Sequence, residues 1–257
     1  MSLEAFSLRD KVAVVIGASS PIGGAAAVAL AEAGAKVAVT TTLPTQREQE
    51  ALHLCFAEIT ALQRNGFAQL LDTTSEEAMS GLVQRTVAEL GRLDILVNAH
   101  DLPFAKPLLE VTPTEWQRVL EVNLTGVYLA CRAVATPMLA QHKGRIVNVV
   151  SLLAERGMAN GSAYCAAQAG VLNLTRALAL EWARSGITVN ALGAGWTEGM
   201  GLLADETLRQ QLARYLPYKR LAQPREIGDA VVYLASEATG FLTGQTIWIE
   251  GGVLSRL

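Results

Sequence analysis

The feature that most constrains this chain is a regular alternation along its whole length. Short β-branched and apolar runs stand at residues 12–17 (VAVVIG), 36–41, 67–71, 93–98, 146–150, 188–192 and 246–250. Between them lie longer segments with helical periodicity, at about 21–33, 46–64, 76–90, 113–140, 164–183 and 225–235. Consecutive strands separated by a helix run parallel, and their crossovers are right-handed. The strands must then be covered on both faces, which is why they read as nearly continuous apolar runs. The expectation is an α/β, Rossmann-type, doubly wound parallel sheet with helices on both faces. There is no internal repeat, low-complexity tract or linker, so residues 1–257 read as one domain.

Composition narrows the function classes. With 51% hydrophobic residues, 257 residues can bury one large core, and a net charge of −3 gives no electrostatic pull toward nucleic acid or an anionic membrane. Cys55, Cys131 and Cys165 are odd in number and lack CxxC spacing, which predicts a reduced, cytoplasmic setting without disulfides or structural zinc. His53, His100 and His142 show no ligand spacing, so no metal is expected. The N-terminal MSLEAFSLRDK has no apolar signal core, and no uninterrupted apolar run spans a bilayer.

The first strand runs into ASSPIGG and then an Ala-rich helix. Glycines at a strand–helix junction admit close backbone approach by a ligand, and a helix N-terminus favours phosphate. Ser20 is placed to cap this helix, and Pro21 sits at its first position, where a missing N–H costs nothing. At the end of the second strand an acidic residue would read a ribose 2′-hydroxyl and a basic one a 2′-phosphate. Here stand Thr41 and Thr42, with Arg47 a few residues on, so NAD and NADP are equally admissible.

Residues 145–183 form the chain's chemical centre. Ser151 sits where the 146–150 strand ends, and a Gly-containing loop leads to a helix with the apolar stripe Val171, Leu174, Leu178 and Trp182. Tyr164 and Gln168 continue that stripe backward one turn at a time, so both face into the domain. A hydroxyl at a strand end facing a phenol and an amide has the geometry of a site, although buried Tyr and Gln are also ordinary core residues when hydrogen-bonded.

With these pieces in order, the chain resembles the short-chain dehydrogenase/reductase family along nearly its whole length. The landmarks are GASSPIG at 17–23, LDT at 71–73, LDILVNA at 93–99, EVNLTG at 121–126, IVNVVS at 146–151, Tyr164, and LASEATGFLTGQTIWIEGG at 234–252. The resemblance implies a seven-stranded Rossmann sheet and an NAD(P)-dependent oxidoreductase that interconverts an alcohol and a carbonyl on a small molecule. It implies Tyr164 as acid/base, Ser151 as hydrogen-bond partner of the substrate oxygen, and Asn123 in a proton relay. Gly17, Ser19, Ser20, Ile22 and Gly23 would line the pyrophosphate. Asp72 would contact the adenine beside Thr73, with Thr41 near the adenosine ribose. Asn98 and Ala99 would flank the ribose, and Gly195 to Thr197 would pass beside the nicotinamide. A homotetramer is implied, with the Asn123 and Tyr164 helices at one interface, and the variable segment 196–216 would lid the substrate. Its Trp196, Met200, Leu202 and Leu203 suit a partly hydrophobic molecule or, equally, a lid packed on its own core.

The chain departs from the family pattern around the coenzyme. Gln168 replaces the Lys that would grip the nicotinamide ribose and lower the Tyr164 pKa. An amide keeps the hydrogen bonding and loses the charge. Pro21 and His100 stand at customary glycines, Ala194 at a customary proline, and Gly199 where a threonine is common. Arg156, His100 or a water are the candidates for restoring the lost charge. The same scaffold also admits a non-redox enzyme of proton transfer or elimination, and a catalytically silent member.

Overall fold

The computed structural model describes residues 3–200 and 205–255. Seven strands form one parallel sheet: β1 (Val12–Ile16), β2 (Lys36–Thr40), β3 (Gly66–Gln69), β4 (Ile95–Asn98), β5 (Gly144–Ser151), β6 (Ile187–Ala194) and β7 (Thr246–Ile249). Their spatial order is β3-β2-β1-β4-β5-β6-β7. The order reverses at β1, so the neighbours β1 and β4 diverge to opposite sides and leave a crevice beyond their carboxyl ends.

Alternation along each strand sorts the core into two layers. Ala13, Val15, Val37 and Val39 face one side and pack on α1 (Pro21–Glu32), α2 (Gln46–Ala61) and α8 (Pro224–Ala235) through Leu30, Ile59 and Val231. Val14, Ile16 and Ala38 face the other side, against α3 (Glu76–Leu90), α5 (Gly126–Gln141) and α6 (Ser162–Trp182), where Leu82, Val134 and Val171 are buried. Ala-rich α1 lets α8 lie close: a Cβ on Gly228 would stand 2.7 Å from the Ala25 carbonyl oxygen.

Two features differ from the periodicity-based reading. The pattern at 113–140 is not one helix: α4 (Pro113–Leu120) passes into a π-helical turn at Glu121–Thr125 before α5. That turn contains Asn123, and π-turns within α-helices often mark functional positions. The segment read as a variable lid carries a helix of its own, α7 (Glu206–Tyr215), capped by Asp205. Its few apolar residues and many charges hid it from a core-facing pattern. Leu202 and Leu203 lie outside the described residues. Among the described residues no helix is long and apolar enough to cross a membrane, and no cluster of His, Cys, Asp or Glu is arranged to hold a metal ion.

Candidate active site

The crevice holds a cavity of about 390 Å³. Its near wall is the β1–α1 turn. Gly17 adopts φ +84°, and a Cβ there would lie 2.5 Å from the His100 Cα. Gly23 is equally confined, since its Cβ would lie 2.2 Å from the Gly17 carbonyl oxygen. Both glycines are therefore structural necessities of the turn. Ser20 caps α1 as its sequence position predicts, accepting from the Gly23 N–H at 3.0 Å, with Pro21 opening the helix. Ser19, Ser20 and Ile22 line the cavity.

At the far end, the β2 terminus is organised by Glu48. One carboxylate oxygen, Oε2, accepts from Ser19 Oγ at 2.8 Å, from the Thr42 N–H at 2.6 Å and from the Leu43 N–H at 3.2 Å. Glu48 follows the N-cap Thr45 by three residues, where a capping box would send it back to the Thr45 N–H. It reaches instead to the preceding strand end. Nothing in the helical periodicity distinguishes it from the other charges of α2. Thr41, expected beside the ribose, is fully buried and uses its hydroxyl to tie Leu71, donating to the carbonyl at 3.0 Å and accepting from the N–H at 2.8 Å.

The other end of the cavity forms where β4, β5 and α6 meet. Tyr164 and Gln168 are 2% and 4% exposed, as their place on the α6 stripe requires. With Ser151 and Ala99 they line the same cavity as the β1–α1 turn. Gln168 joins two strand ends: its Oε1 accepts from the Ser151 N–H at 3.0 Å, and its Nε2 donates to Asp101 Oδ1 at 3.2 Å. A flipped amide would face donor with donor and oxygen with carboxylate, so this orientation is determined. Tyr164 donates its phenolic proton to the same Asp101 oxygen at 2.8 Å.

Asp101 is the residue that sequence reasoning missed. It lies two residues past the Asn98–Ala99 landmark, and its signal was slight: a carboxylate just beyond the carboxyl end of a central parallel strand. It is half-buried, and burial raises its pKa to about 6 against the lowering effect of the Tyr164 hydroxyl. Burial together with the Asp101 charge lifts the Tyr164 pKa well above 10, while the Ser151 hydroxyl works in the opposite direction. The charge beside the phenol is thus negative. Neither candidate for a compensating cation serves. Arg156 turns its guanidinium to the Tyr215 hydroxyl and the Val253 carbonyl, both at 3.3 Å. His100 is buried, and burial lowers its pKa to about 4, leaving the ring neutral.

The remaining expected residues stand around the cavity rather than in it. Asn123, in the π-turn, accepts from the Leu102 N–H at 2.8 Å and donates to the Leu102 and Val119 carbonyls at 3.0 Å each. It thereby pins the loop that carries Asp101. Asn98 donates to Asn148 Oδ1 at 2.8 Å beneath the floor. Asp72 accepts from the Thr74 N–H and hydroxyl at 2.9 and 2.6 Å, and the Thr73 hydroxyl is buried without a partner. Thr197 turns its hydroxyl back to the Gly195 carbonyl at 3.0 Å, while Gly199 and Met200 line the cavity from that side.

A glycine-bounded turn at a helix N-terminus and a hydroxyl–phenol pair share one crevice at a topological switch point, which fits a dinucleotide. Comparison with known proteins agrees. Residues 17–254 match the family model described as enoyl-(acyl carrier protein) reductase. The chain is 40% identical over 256 residues to the cis-4-hydroxycyclohexanecarboxylate dehydrogenase of Sinomonas cyclohexanicum, covering 97% of this chain and 98% of that protein. A gluconate 5-dehydrogenase from Burkholderia cenocepacia J2315, solved with NADP and tartrate, superposes with a TM-score of 0.91 at 30% identity over all of both chains. An NAD⁺-bound xylitol dehydrogenase superposes with a TM-score of 0.88 at 30% identity, over 95% of this chain and 99% of that one. On fold, site and relatives together, the chain belongs to the short-chain dehydrogenase/reductase family and is an NAD(P)-dependent oxidoreductase of small molecules.

Proposed function

We propose that this enzyme interconverts a secondary alcohol and a carbonyl, with Ser151 and Tyr164 gripping the reacting oxygen. The observation that carries this reading is the cavity that Tyr164, Ser151 and Gln168 share with Ser19, Ser20 and Ile22. A bound nicotinamide supplies or accepts the hydride. The chain's own residues manage the proton and the position of the oxygen. Gln168 holds Ser151 and Asp101 in register and keeps a donor available to a ribose hydroxyl. Asn123 positions the 99–104 loop. Gly17, Gly23, Asp72, Thr73, Asn98, Ala99, Gly195 and Thr197 frame the coenzyme groove.

The coenzyme we assign is NAD. A 2′-phosphate at the β2 terminus needs the donors of Ser19, Thr42 and Leu43, and Glu48 already engages all three. Arg47, at the same end of the cavity, attracts such a phosphate, but Glu48 places an anion directly against it. An acidic side chain reading the ribose hydroxyls is the usual device for NAD, here delivered from α2 rather than from the strand.

The substrate is a small molecule with an apolar body, seated against Pro103, Val149 and Met200. Gly199 and Met200, from the segment expected to lid the pocket, line that part of the cavity. Exposed Tyr128 on α5 and Leu180 on α6, 44% and 84% accessible, support a homotetramer through these helices. Isothermal calorimetry with NADH and NADPH is the deciding experiment. Tight NADH binding with weaker NADPH binding is expected, and no binding of either removes the redox reading.

A further inference from the structure

Among the described residues, no cation lies beside Tyr164. We propose that Asp101 is the terminal proton acceptor when this enzyme oxidises an alcohol, receiving through Tyr164 the proton that the substrate hydroxyl gives up. The inference rests on the redox reading above and adds a residue and a direction to it.

The geometry carries it. Asp101 Oδ1 receives two donors, the Tyr164 hydroxyl at 2.8 Å and the Gln168 amide at 3.2 Å. An oxygen that accepts both carries no proton of its own, so Tyr164 keeps its proton and aims it at Asp101. An alcohol oxygen held by Ser151 then meets a phenol whose lone pairs are free to accept. In oxidation the carbinol C–H bond breaks, and its electron pair leaves as hydride to the oxidised nicotinamide. The alcohol O–H proton passes to the Tyr164 oxygen as the Tyr164 proton passes to Asp101 Oδ1. The products are the carbonyl, the reduced coenzyme and a neutral Asp101 carboxyl, which is partly exposed and returns its proton to water. Reduction runs the same path backward.

Among the described residues, no cation compensates the carboxylate's charge. On its own loop His100 is neutral, and α6 contributes Tyr164 and the thiol of Cys165. The other charged residues lining the cavity, Arg47 and Glu48, stand at its β2 end. An anion at this place favours the cationic, oxidised nicotinamide over the neutral, reduced one, whereas an ammonium at 168 would do the reverse.

The test is Asp101→Asn, which keeps the shape and removes the acceptor, with Asp101→Ser as a smaller second variant. In coenzyme-free protein, tyrosinate absorbance titrated against a Tyr164→Phe blank should show Tyr164 ionising at least about one pH unit lower in both variants. Calorimetry should show the NAD⁺-to-NADH affinity ratio falling by about tenfold. In alcohol oxidation, the wild-type kcat/KM should lose activity below a pKa of about 6, and Asp101→Asn should lose that acid limb together with about a hundredfold in rate. A variant that retains the limb and the wild-type tyrosine titration overturns the assignment while leaving the redox reading intact. A wild type that binds dinucleotide yet oxidises no alcohol overturns both.

Discussion

Restoring the absent cation with Gln168→Lys tests the electrostatic account of this site most directly. The Tyr164 oxygen and the Gln168 nitrogen both bond Asp101 Oδ1, at 2.8 and 3.2 Å, so they lie within about 6 Å of each other. A unit charge at ~6 Å in a medium of effective dielectric ~20 contributes about 3 kcal/mol, equivalent to about two pKa units. The new ammonium also pairs with Asp101, weakening the anion that now lifts Tyr164, so both changes move the phenol downward. The substitution costs the acceptor for the Ser151 N–H, about 1–3 kcal/mol if that group is left unpaired, which the new ion pair offsets in part. Coenzyme-free protein should therefore remain folded, with Tyr164 ionising about two pH units lower by tyrosinate absorbance against a Tyr164→Phe blank. A Tyr164 titration that stays put in well-folded Gln168→Lys protein refutes the claim that charge at 168 governs the phenol.

Three further outcomes are expected. Glu48→Ala frees the Ser19, Thr42 and Leu43 donors and removes a repelling charge, so NADPH affinity should rise about tenfold or more relative to NADH; unchanged calorimetric affinities for both would remove Glu48 from coenzyme selection. Tyr164→Phe should abolish turnover while leaving dinucleotide binding within about threefold, and retained turnover would move the acid/base role elsewhere. On the opposite end of the sheet, Glu237 meets Lys11, Lys143 and Arg145 at 3.2, 2.7 and 3.1 Å. Burial opposes its ionisation, but hydrogen bonds from Lys143 and Lys11 and the Arg145 charge prevail and hold its pKa at about 2. A depressed carboxylate stabilises the fold above its unfolded pKa of ~4.3 and loses that contribution as pH falls toward 2. Glu237→Gln should thus melt earlier than wild type at neutral pH, with the gap closing in acid; a pH-independent gap would show that charge is not the cause.

How far the chain could be read without coordinates follows from the range of the forces involved. Strand and helix periodicity is local, so the two-layered parallel sheet, the capped turn at Ser20 and Pro21, and the inward face carrying Tyr164 and Gln168 were legible from residue order alone. The interruption of the 113–140 helix was not, because a π-turn leaves the hydrophobic period nearly intact while moving one side chain, Asn123, onto the 99–104 loop. Polar α7 carried no core-facing signal either. What tertiary structure alone decided is the sign of the charge beside the Tyr164 phenol. Gln168 announced the loss of an ammonium, but the carboxylate of Asp101 lies 63 positions before Tyr164 and meets it only because β4 and β5 are neighbours in the sheet. The same holds for Glu48, whose three donors come from two separate strand ends. Electrostatic fields act through space, and sequence separation carries no information about that distance until the strands have paired.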